Sequence, residues 1–476
     1  MKSSFITSVP DKSGAFLKAV KIFSSLNLNI VRTSYNKSVD SHMIFLEVEG
    51  DEAGIEEARE ELKTLGYLNI PQEDVVLLEF LLPDRPGTLE KVLTLIEERN
   101  INISYISSVS NGTGWQNYRM GLLLKDKKEQ EEFLESAERL YQIRPIDYRK
   151  LENSYDNSIF YSGFVSELSK LTDVEKEDRN SLMLSANLAM EVLNSQGLRP
   201  DTTFSSIAHF TRLLGKARGE GFKPRVSRGE IKQGYDYILI EPPCGSNTLL
   251  IIHNKSLLSI DSGYALYRGE MENLFDTLLP EWRKMDRTLF LTHADVDHGG
   301  LFYLFDKIVC SKRSRACLDR EKRGLDGLRE ENRLHRPYIR MCKILTHYTL
   351  PDMERVEEVG GEPEFISSPI EKSGVWDWED LHFALYEGEG GHLKGESLLL
   401  LKEEKVAFTG DIWVNIKDMT DEQREYNTLA PVLMTSVDTD PVLSKKERAS
   451  MKNILPPKCR VFPGHGNMKE LCLDSE

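Results

Sequence analysis

The chain has 476 residues, 40% of them hydrophobic and 29% charged, which excludes a mostly disordered chain, a collagen-like fibre and a small disulfide scaffold. At roughly 100–200 residues per domain, about three domains are expected. Sixty-one basic residues against 77 acidic ones leave a net charge of −16, which argues against general binding of nucleic acid or of an anionic membrane.

The N-terminal MKSSFITSVPDKSG has no apolar core of signal-peptide length, and no stretch approaches the roughly 18 apolar residues of a membrane span. The six cysteines (Cys244, Cys310, Cys317, Cys342, Cys459 and Cys472) form no CxxC pair. A cytoplasmic protein with reduced thiols is expected, with Cys244 and Cys310 as buried small hydrophobes.

The first third contains a repeat. Pro10-Asp11-Lys12-Ser13-Gly14 matches Pro83-Asp84-Arg85-Pro86-Gly87 at an offset of 73, and the same offset carries Asn29-Ile30 onto Asn102-Ile103. Each copy starts with a β-forming run (Phe5 to Val9; Val75 to Leu82). A Pro/Asp/Gly turn follows, then a helical pattern of Phe16, Val20 and Phe23 or of Leu89, Leu93 and Ile96. Two strands (28–36 and 42–49; 101–109 and 116–124), an amphipathic helix (51–65; 127–140) and a short closing strand complete each copy. The predicted order is βαββαβ twice, with the helices on one face of each antiparallel sheet.

The turn P-D-x-x-G with the later N-[IL]-N-I resembles the ACT domain, a regulatory module that usually binds amino acids. The resemblance implies two ACT units, at 1–72 and 73–150, that bind an amino-acid-like effector. It names Asp11, Gly14, Asn29, Asp84, Gly87 and Asn102 as effector contacts, with Gly14 and Gly87 leaving room beside helix N-termini whose free N–H groups can meet a carboxylate. The alternative is a purely dimerising sheet, since open sheet edges favour pairing into a homodimer. Copy one is close in cadence to the ACT modules of prephenate dehydratase and aromatic amino acid hydroxylases. It carries Arg32-Thr33-Ser34-Tyr35-Asn36 where those have E-S-R-P, a departure that weakens the expectation of an aromatic effector.

Residues 151–234 read as a helical connector. One helix covers Leu182, Leu184, Leu188, Met190, Val192 and Leu193. A second covers Phe204, Ile207, Phe210, Leu213 and Leu214, with Asp201-Thr202-Thr203 as its cap. His209 lies beside the second apolar stripe with no partner ligands nearby and is expected to be structural.

From about residue 235 the pattern changes to short strands: Tyr235 to Glu241, Thr248 to Ile252, Leu257 to Ile260 and Arg287 to Thr292. The last runs into His293-Ala294-Asp295-Val296-Asp297-His298-Gly299-Gly300, in which half the residues can ligate a divalent metal. In an extended loop residues i, i+2 and i+4 share a side, so His293, Asp295 and Asp297 can converge. Downstream, His392 precedes the strand Leu398 to Leu401, and Asp411 and His465 each end a strand beside glycine.

This ordered series resembles the metallo-β-lactamase fold superfamily, over about residues 235–470. The resemblance implies an αββα sandwich at 235–476 and a binuclear site. His293, Asp295 and His392 would hold one metal, and Asp297, His298 and His465 the other. Asp411 would bridge the two, and Asp261 would orient the ligands from behind. The expected activity is hydrolysis by a metal-bound hydroxide, with Asp297 as the catalytic carboxylate that orients or deprotonates the water. The common motif is H-x-H-x-D-H, and Asp295 replaces its second histidine. Two divalent ions and a bridging hydroxide would then be fully neutralised by three carboxylates, which lowers the acidity of bound water. Zinc is the metal implied by the family, while the added oxygen ligand favours iron or manganese. Flavodiiron proteins, which also carry a flavodoxin module absent here, have an acidic residue at this place. Two rivals follow: an iron-dependent oxidoreductase, and a metabolite-sensing binding protein with the metal domain as scaffold.

Residues 311–345 carry eleven basic side chains against five acidic ones. Arg329, Arg333, Arg336, Arg340 and Lys343 recur at helical spacing, and His335 and His347 lie in or near this insertion. It reads either as a solvated face or as a lid in which Arg336 and Arg340 recognise an anionic small-molecule substrate.

Overall fold

The computed structural model describes residues 2–8, 14–35, 43–68, 74–83, 85–110, 115–124, 127–139, 141–145, 157–196, 198, 200–434 and 436–471. The chain is a mixed α+β protein of two compact units, Met1–Leu188 and Ala189–Glu476. No helix among the described residues is long and apolar enough to cross a membrane.

The first unit begins with β1 (Lys2–Ser8), α1 (Ala15–Ser25), β2 (Asn29–Tyr35), β3 (Met43–Glu49) and α2 (Glu52–Thr64). The strands form an antiparallel sheet of order β1-β3-β2. The repeat continues with β4 (Asp74–Pro83), α3 (Thr88–Glu97), β5 (Asn102–Ser110), β6 (Trp115–Leu124), α4 (Lys127–Glu138) and β7 (Gln142–Pro145), whose sheet order is β5-β6-β4-β7. Strand residues two apart share a face. Accordingly Phe5, Ile44, Leu46 and Val48 meet Ala19, Phe23, Ile55 and Leu62 in one core, and Leu78, Phe80, Met120 and Leu122 meet Val92, Ile96 and Phe133 in the other.

The offset of 73 is visible in the backbone. Gly14 and Gly87 both start a helix in the left-handed region, at φ 79° and 82°. Asn27 and Asn100 both end that helix at φ 54°. The next N–H closes onto the carbonyl five residues back, Leu28 to Phe23 at 2.8 Å and Ile101 to Ile96 at 3.1 Å, as a left-handed C-terminal stop requires. The closing strand expected for the first copy would fall on 69–73, outside the described residues.

The expected connector divides into three helices. Helix α5 (Asn157–Thr172) packs on β4, and α6 (Lys176–Ser195) bonds back to it through Asn187 Nδ2 and the Tyr161 hydroxyl, 3.4 Å apart. Helix α7 (Pro200–Lys216) starts at a proline, the residue least costly at a first helical position, so Asp201-Thr202-Thr203 fall inside its first turn instead of capping it.

The second unit then runs β8 (Arg225–Lys232), β9 (Tyr235–Glu241), β10 (Thr248–His253), β11 (Ser256–Ile260), α8 (Arg268–Leu278), β12 (Asp286–Leu291) and β13 (Lys307–Ser311). Next come α9 (Lys312–Lys322), α10 (His335–Leu345), β14 (Val356–Val359), β15 (Ile370–Trp378), β16 (Leu381–Gly388), β17 (Ser397–Leu401) and β18 (Val406–Phe408). Helices α11 (Asp421–Met434) and α12 (Pro441–Ile454) and strands β19 (Cys459–Phe462) and β20 (Lys469–Leu471) complete it.

Two sheets result, a seven-stranded one in the order β14 to β8 and a six-stranded one in the order β15 to β20. Residues 225–232, placed by the sequence in the connector, form the edge strand β8, antiparallel to β9. The inner faces share one core, in which Leu239, Leu249, Leu258 and Phe290 meet Phe383, Leu399, Phe408 and Phe462. Behind the second sheet, α12 packs Met451 onto Leu398, Leu400 and Val461. Cys244, Cys310, Cys317, Cys342 and Cys459 are free and buried, and Cys472 lies outside the described residues.

The basic insertion is not one continuous helix. A short 3-10 turn at Arg329–Glu331 precedes α10. The Asn332 side chain takes the Leu334 N–H at 2.9 Å, so the helix restarts at His335 and Arg329 leaves the basic face.

Candidate metal centre

Strands β11 and β12 are parallel, as are β18 and β19, so both pairs end on the same edge of their sheets. Asp261 follows β11, His293 to His298 follow β12, Asp411 follows β18 and His465 follows β19. His392 sits in the loop between β16 and β17. Backbone bonds tie the two sheets together at this edge, from Ser397 N to Thr292 O (2.9 Å) and from Asn247 N to Gly464 O (2.7 Å).

Asp411 is the hub. Its Oδ1 is 3.5 Å from His298 Nε2, and its Oδ2 is 3.4 Å from both His392 Nε2 and His465 Nε2. Asp297 completes the group, with Oδ2 3.4 Å from His465 Nε2 and Oδ1 3.9 Å from His298 Nε2. These gaps are too long for strong hydrogen bonds. Two donors held about 2.1 Å from one ion at a tetrahedral angle stand about 3.4 Å apart, so the spacing is that of co-ligands. The Nε2 atoms of His293 and His298 and Oδ1 of Asp411 are buried with no hydrogen-bond partner, a costly arrangement that a cation would relieve. Asp297, His298, His465 and Asp411 therefore fit one divalent ion.

Two of the four rings, His298 and His392, are held from behind by carboxylates, while His465 Nδ1 has no hydrogen-bond partner. Asp261 Oδ2 is 2.8 Å from His298 Nδ1, while the same carboxylate accepts from the Thr292 N–H and hydroxyl, both at 2.8 Å. His392 Nδ1 is 3.1 Å from Asp438 Oδ1, and Arg448 braces Asp438 Oδ2 at 3.0 Å. Glu396 Oε1 accepts the Asp411 N–H at 2.6 Å and lies 3.7 Å from His293 Nδ1.

Charge is divided sharply within the cluster. Burial favours a neutral ring for His298, but Asp261, Asp297 and Asp411 outweigh it and hold the group well above the usual imidazole range. Burial likewise opposes charge on His465, and Asp411 and Asp297 push it up to about 10. Burial, with His298 and His392 alongside, keeps His293 well below that range. Glu396 is held well above the carboxylate range by burial, then by Asp411 and Glu447.

The first metal position implied by resemblance is different. Asp295 and His392 both face Arg329: its Nε is 2.5 Å from Asp295 Oδ2 and its Nη2 is 2.7 Å from His392 Nε2. Two of the three donors for that ion are already engaged by a guanidinium, which leaves only His293, whose buried Nε2 has no hydrogen-bond partner, so the three do not together fit a second ion in this arrangement.

The centre opens into a cavity of about 410 Å³, whose wall includes Tyr264, Ile339, Trp413, Val414, Tyr426 and Met434. The hydroxyls of Tyr264 and Tyr426 are hydrogen-bonded to each other. Burial, with Asp297 nearby, holds both phenols well above their ordinary range, so they remain donors. Arg336 and Arg340 do not line this cavity; they hold Asp326 at 2.9 and 3.1 Å. His335 Nε2 lies 2.8 Å from the Met434 carbonyl, and His209 pairs with Glu425 at 3.2 Å, away from the cluster.

In the first unit, Gly14 and Asn29 lie at opposite ends of α1, as do Gly87 and Asn102 at those of α3. An eleven-residue helix spans about 16 Å, so one small effector cannot touch both within a copy. Asp11 and Asp84 lie outside the described residues. Sequence reasoning did not assign Glu396, Asp438 or Arg448 to the site. Glu396 had a visible signal, four residues after His392 in a glycine-rich loop, whereas Asp438 had none.

A search of curated proteins finds no match. Solved structures that resemble the chain include a metallo-beta-lactamase from Pontibacter korlensis (TM-score 0.32, 14% identity, 52% of this chain and 94% of that one). A flavoprotein from Thermotoga maritima aligns at TM-score 0.33 and 13% identity over 52% of this chain, which spans 58% of the flavoprotein. The apo chemotaxis sensor ODP of T. denticola aligns at TM-score 0.33 and 13% identity, over 52% of this chain and 89% of that one. In the first unit, residues 76–140 match the family model for the ACT domain, so the second repeat carries that module.

Proposed function

We propose that the chain is a metal-dependent hydrolase on a metallo-β-lactamase-like αββα sandwich, regulated through a tandem ACT module by an amino-acid-like effector. The observation that carries this reading is the co-ligand spacing of Asp297, His298, His465 and Asp411 beside a cavity that Asp297, Asp411 and His465 line. Two imidazole nitrogens and two carboxylates suit zinc, iron(II) or manganese(II). A divalent ion held there supplies Lewis acidity, polarising a carbonyl or phosphoryl oxygen and making water more acidic.

The chain's own groups do the rest. Asp297, which lines the cavity, accepts the proton of an attacking water. Of the Tyr264–Tyr426 pair, the hydroxyl that accepts the mutual hydrogen bond keeps its own proton to donate to substrate oxygen, and Ile339, Val414 and Met434 receive an apolar portion of a small substrate. The oxidoreductase rival drew its support from Asp295 as an extra oxygen ligand, and that carboxylate is engaged by Arg329.

The test is purification of the full chain, metal quantification, and a panel of ester, thioester, phosphodiester and lactam substrates. Turnover that is lost with a chelator and restored by the native metal is expected. Two redox-active irons per chain without hydrolysis would replace the reading with the oxidoreductase. Full cellular function of His298→Ala would favour a sensory role.

In the first unit, an effector carboxylate would meet the free N–H groups at the start of α1 or α3, beside Gly14 or Gly87. We place homodimer contacts at the sheet edges β2 and β5.

A further inference from the structure

We propose that the guanidinium of Arg329 permanently takes the place of one metal, so that the chain binds a single divalent ion, at Asp297, His298, His465 and Asp411. This rests on the metal-centre reading above.

Arg329 is buried, its side chain 5% exposed, and a buried cation is tolerated only when its donors are well satisfied. Here they are: Asp295 takes Nε at 2.5 Å, the Val437 carbonyl takes Nη1 at 2.7 Å, and Nη2 lies 2.7 Å from His392 Nε2. His392 Nδ1 faces the carboxylate of Asp438, so its Nε2 lone pair is directed at the guanidinium. The lone pair that would bind an ion is accepting a hydrogen bond.

The departure from the common motif gains a physical reason. A histidine at 295 would be a neutral neighbour to a buried cation, whereas Asp295 neutralises it. One divalent ion and one guanidinium carry three positive charges against the three carboxylates that face them, Asp295, Asp297 and Asp411, with Asp261 a fourth behind His298. Two divalent ions plus Arg329 would leave two charges in excess of the three facing carboxylates in a low-dielectric site.

The turn that delivers Arg329 is braced on both sides. Glu330 takes the Gly327 N–H and the Lys343 ammonium, each at 2.9 Å, while Arg336 Nε bonds the Glu330 carbonyl at 2.9 Å and holds Asp326. The basic insertion thus serves as scaffolding for one buried arginine. Of the positive side chains at helical spacing, Arg329 enters the site, while Arg336, Arg340 and Lys343 hold Asp326, Glu321 and Glu330 behind it.

The experiment is metal titration of the full chain, loaded with zinc(II) or manganese(II) and counted by mass spectrometry of the metal. Wild type is expected to saturate at one ion per chain, with the six-line electron paramagnetic resonance spectrum of an isolated manganese. Arg329→Ala is expected to take up a second ion, since His392 and Asp295 become free. Two ions per wild-type chain, or the spectrum of a spin-coupled pair, overturns the proposal while leaving the metal centre standing. No bound ion at saturation overturns both. A folded Arg329→Ala that still stops at one ion also overturns it. If that variant does not fold, the wild-type count and spectrum decide alone.

Discussion

His298 shows how a single residue in this site depends on the one behind it. Its Nδ1–H donates to Asp261 Oδ2, which leaves Nε2 as the candidate ligand atom and fixes the ring plane. Asp261 itself stands at φ 55°, a left-handed backbone that a side chain adopts only when its bonds hold it there, and it accepts twice from Thr292. Asp261→Asn keeps the shape but weakens the grip on the ring. A fall of about 10–100-fold in metal affinity is expected, measured by competition with a chromophoric chelator. Unchanged affinity would reduce Asp261 to a turn residue. A second residue, Glu387 on β16, gives a pH signature of its own. Glu387 is 1% exposed, and burial pushes its carboxyl up to about 7 although Arg313 Nη1 lies 3.0 Å away, close but poorly aligned for a hydrogen bond. The folded state binds this proton more tightly than an unfolded glutamate at 4.5, so the stabilisation is complete below pH 4.5 and disappears as pH rises through 7. The amount at stake is roughly 3 kcal/mol. Glu387→Gln should therefore gain in melting temperature relative to wild type between pH 5 and pH 8. A difference that stays constant with pH would refute this.

At the scale of elements, the site is made by strand ends brought close together. Gly464 lies in the turn just after β19, and a Cβ there would come within 2.2 Å of Asp411 Oδ1 and 3.0 Å of the Gly410 backbone. Gly464→Ala must push the turn carrying His465 away from β18 and Asp411. Metal affinity is expected to fall at least as far as for Asp261→Asn, with the melting temperature lowered by only a few degrees. A variant with native affinity would show that the turn has slack. Much of this arrangement is legible in the sequence. The apolar runs of β9, β10 and β11, and the single candidate ligands beside glycine after β18 and β19, are local patterns. The 73-residue offset likewise reveals two helices that begin at glycine and end at asparagine. What is not legible depends on distant contacts. Arg329 shares its spacing with Arg333, Arg336 and Arg340, so periodicity places it on a solvated helix face. Only Asn332, which restarts the helix, and Asp295, 34 positions upstream, redirect it. Asp438 meets His392 across 46 residues from an ordinary loop, and no spacing rule marks it.

At the scale of the whole molecule, the question is whether the two units act independently or through one another. The N-terminal unit has two separate small cores, Phe5 to Tyr67 and Leu78 to Ala137, while the second unit has a large core between two sheets. Units with separate cores unfold separately unless something couples them. A ligand that binds one folded unit stabilises it by about 2.7 kcal/mol at a hundredfold excess over its dissociation constant. Calorimetric melting of the full chain is therefore expected to show at least two transitions. Zinc or manganese should raise only the one belonging to residues 189–476, and a chelator should lower the same one. An amino acid that binds beside Gly14 or Gly87 should raise the other, and a panel of the twenty common amino acids at millimolar concentration would identify it. Regulation adds a sharper requirement, because coupling between two sites is reciprocal. If the effector alters metal or substrate binding, metal must alter effector affinity by the same factor, so isothermal titrations with and without metal should differ. Equal effector affinities in the two titrations, with both ligands binding, would mean that the ACT module does not regulate the metal centre.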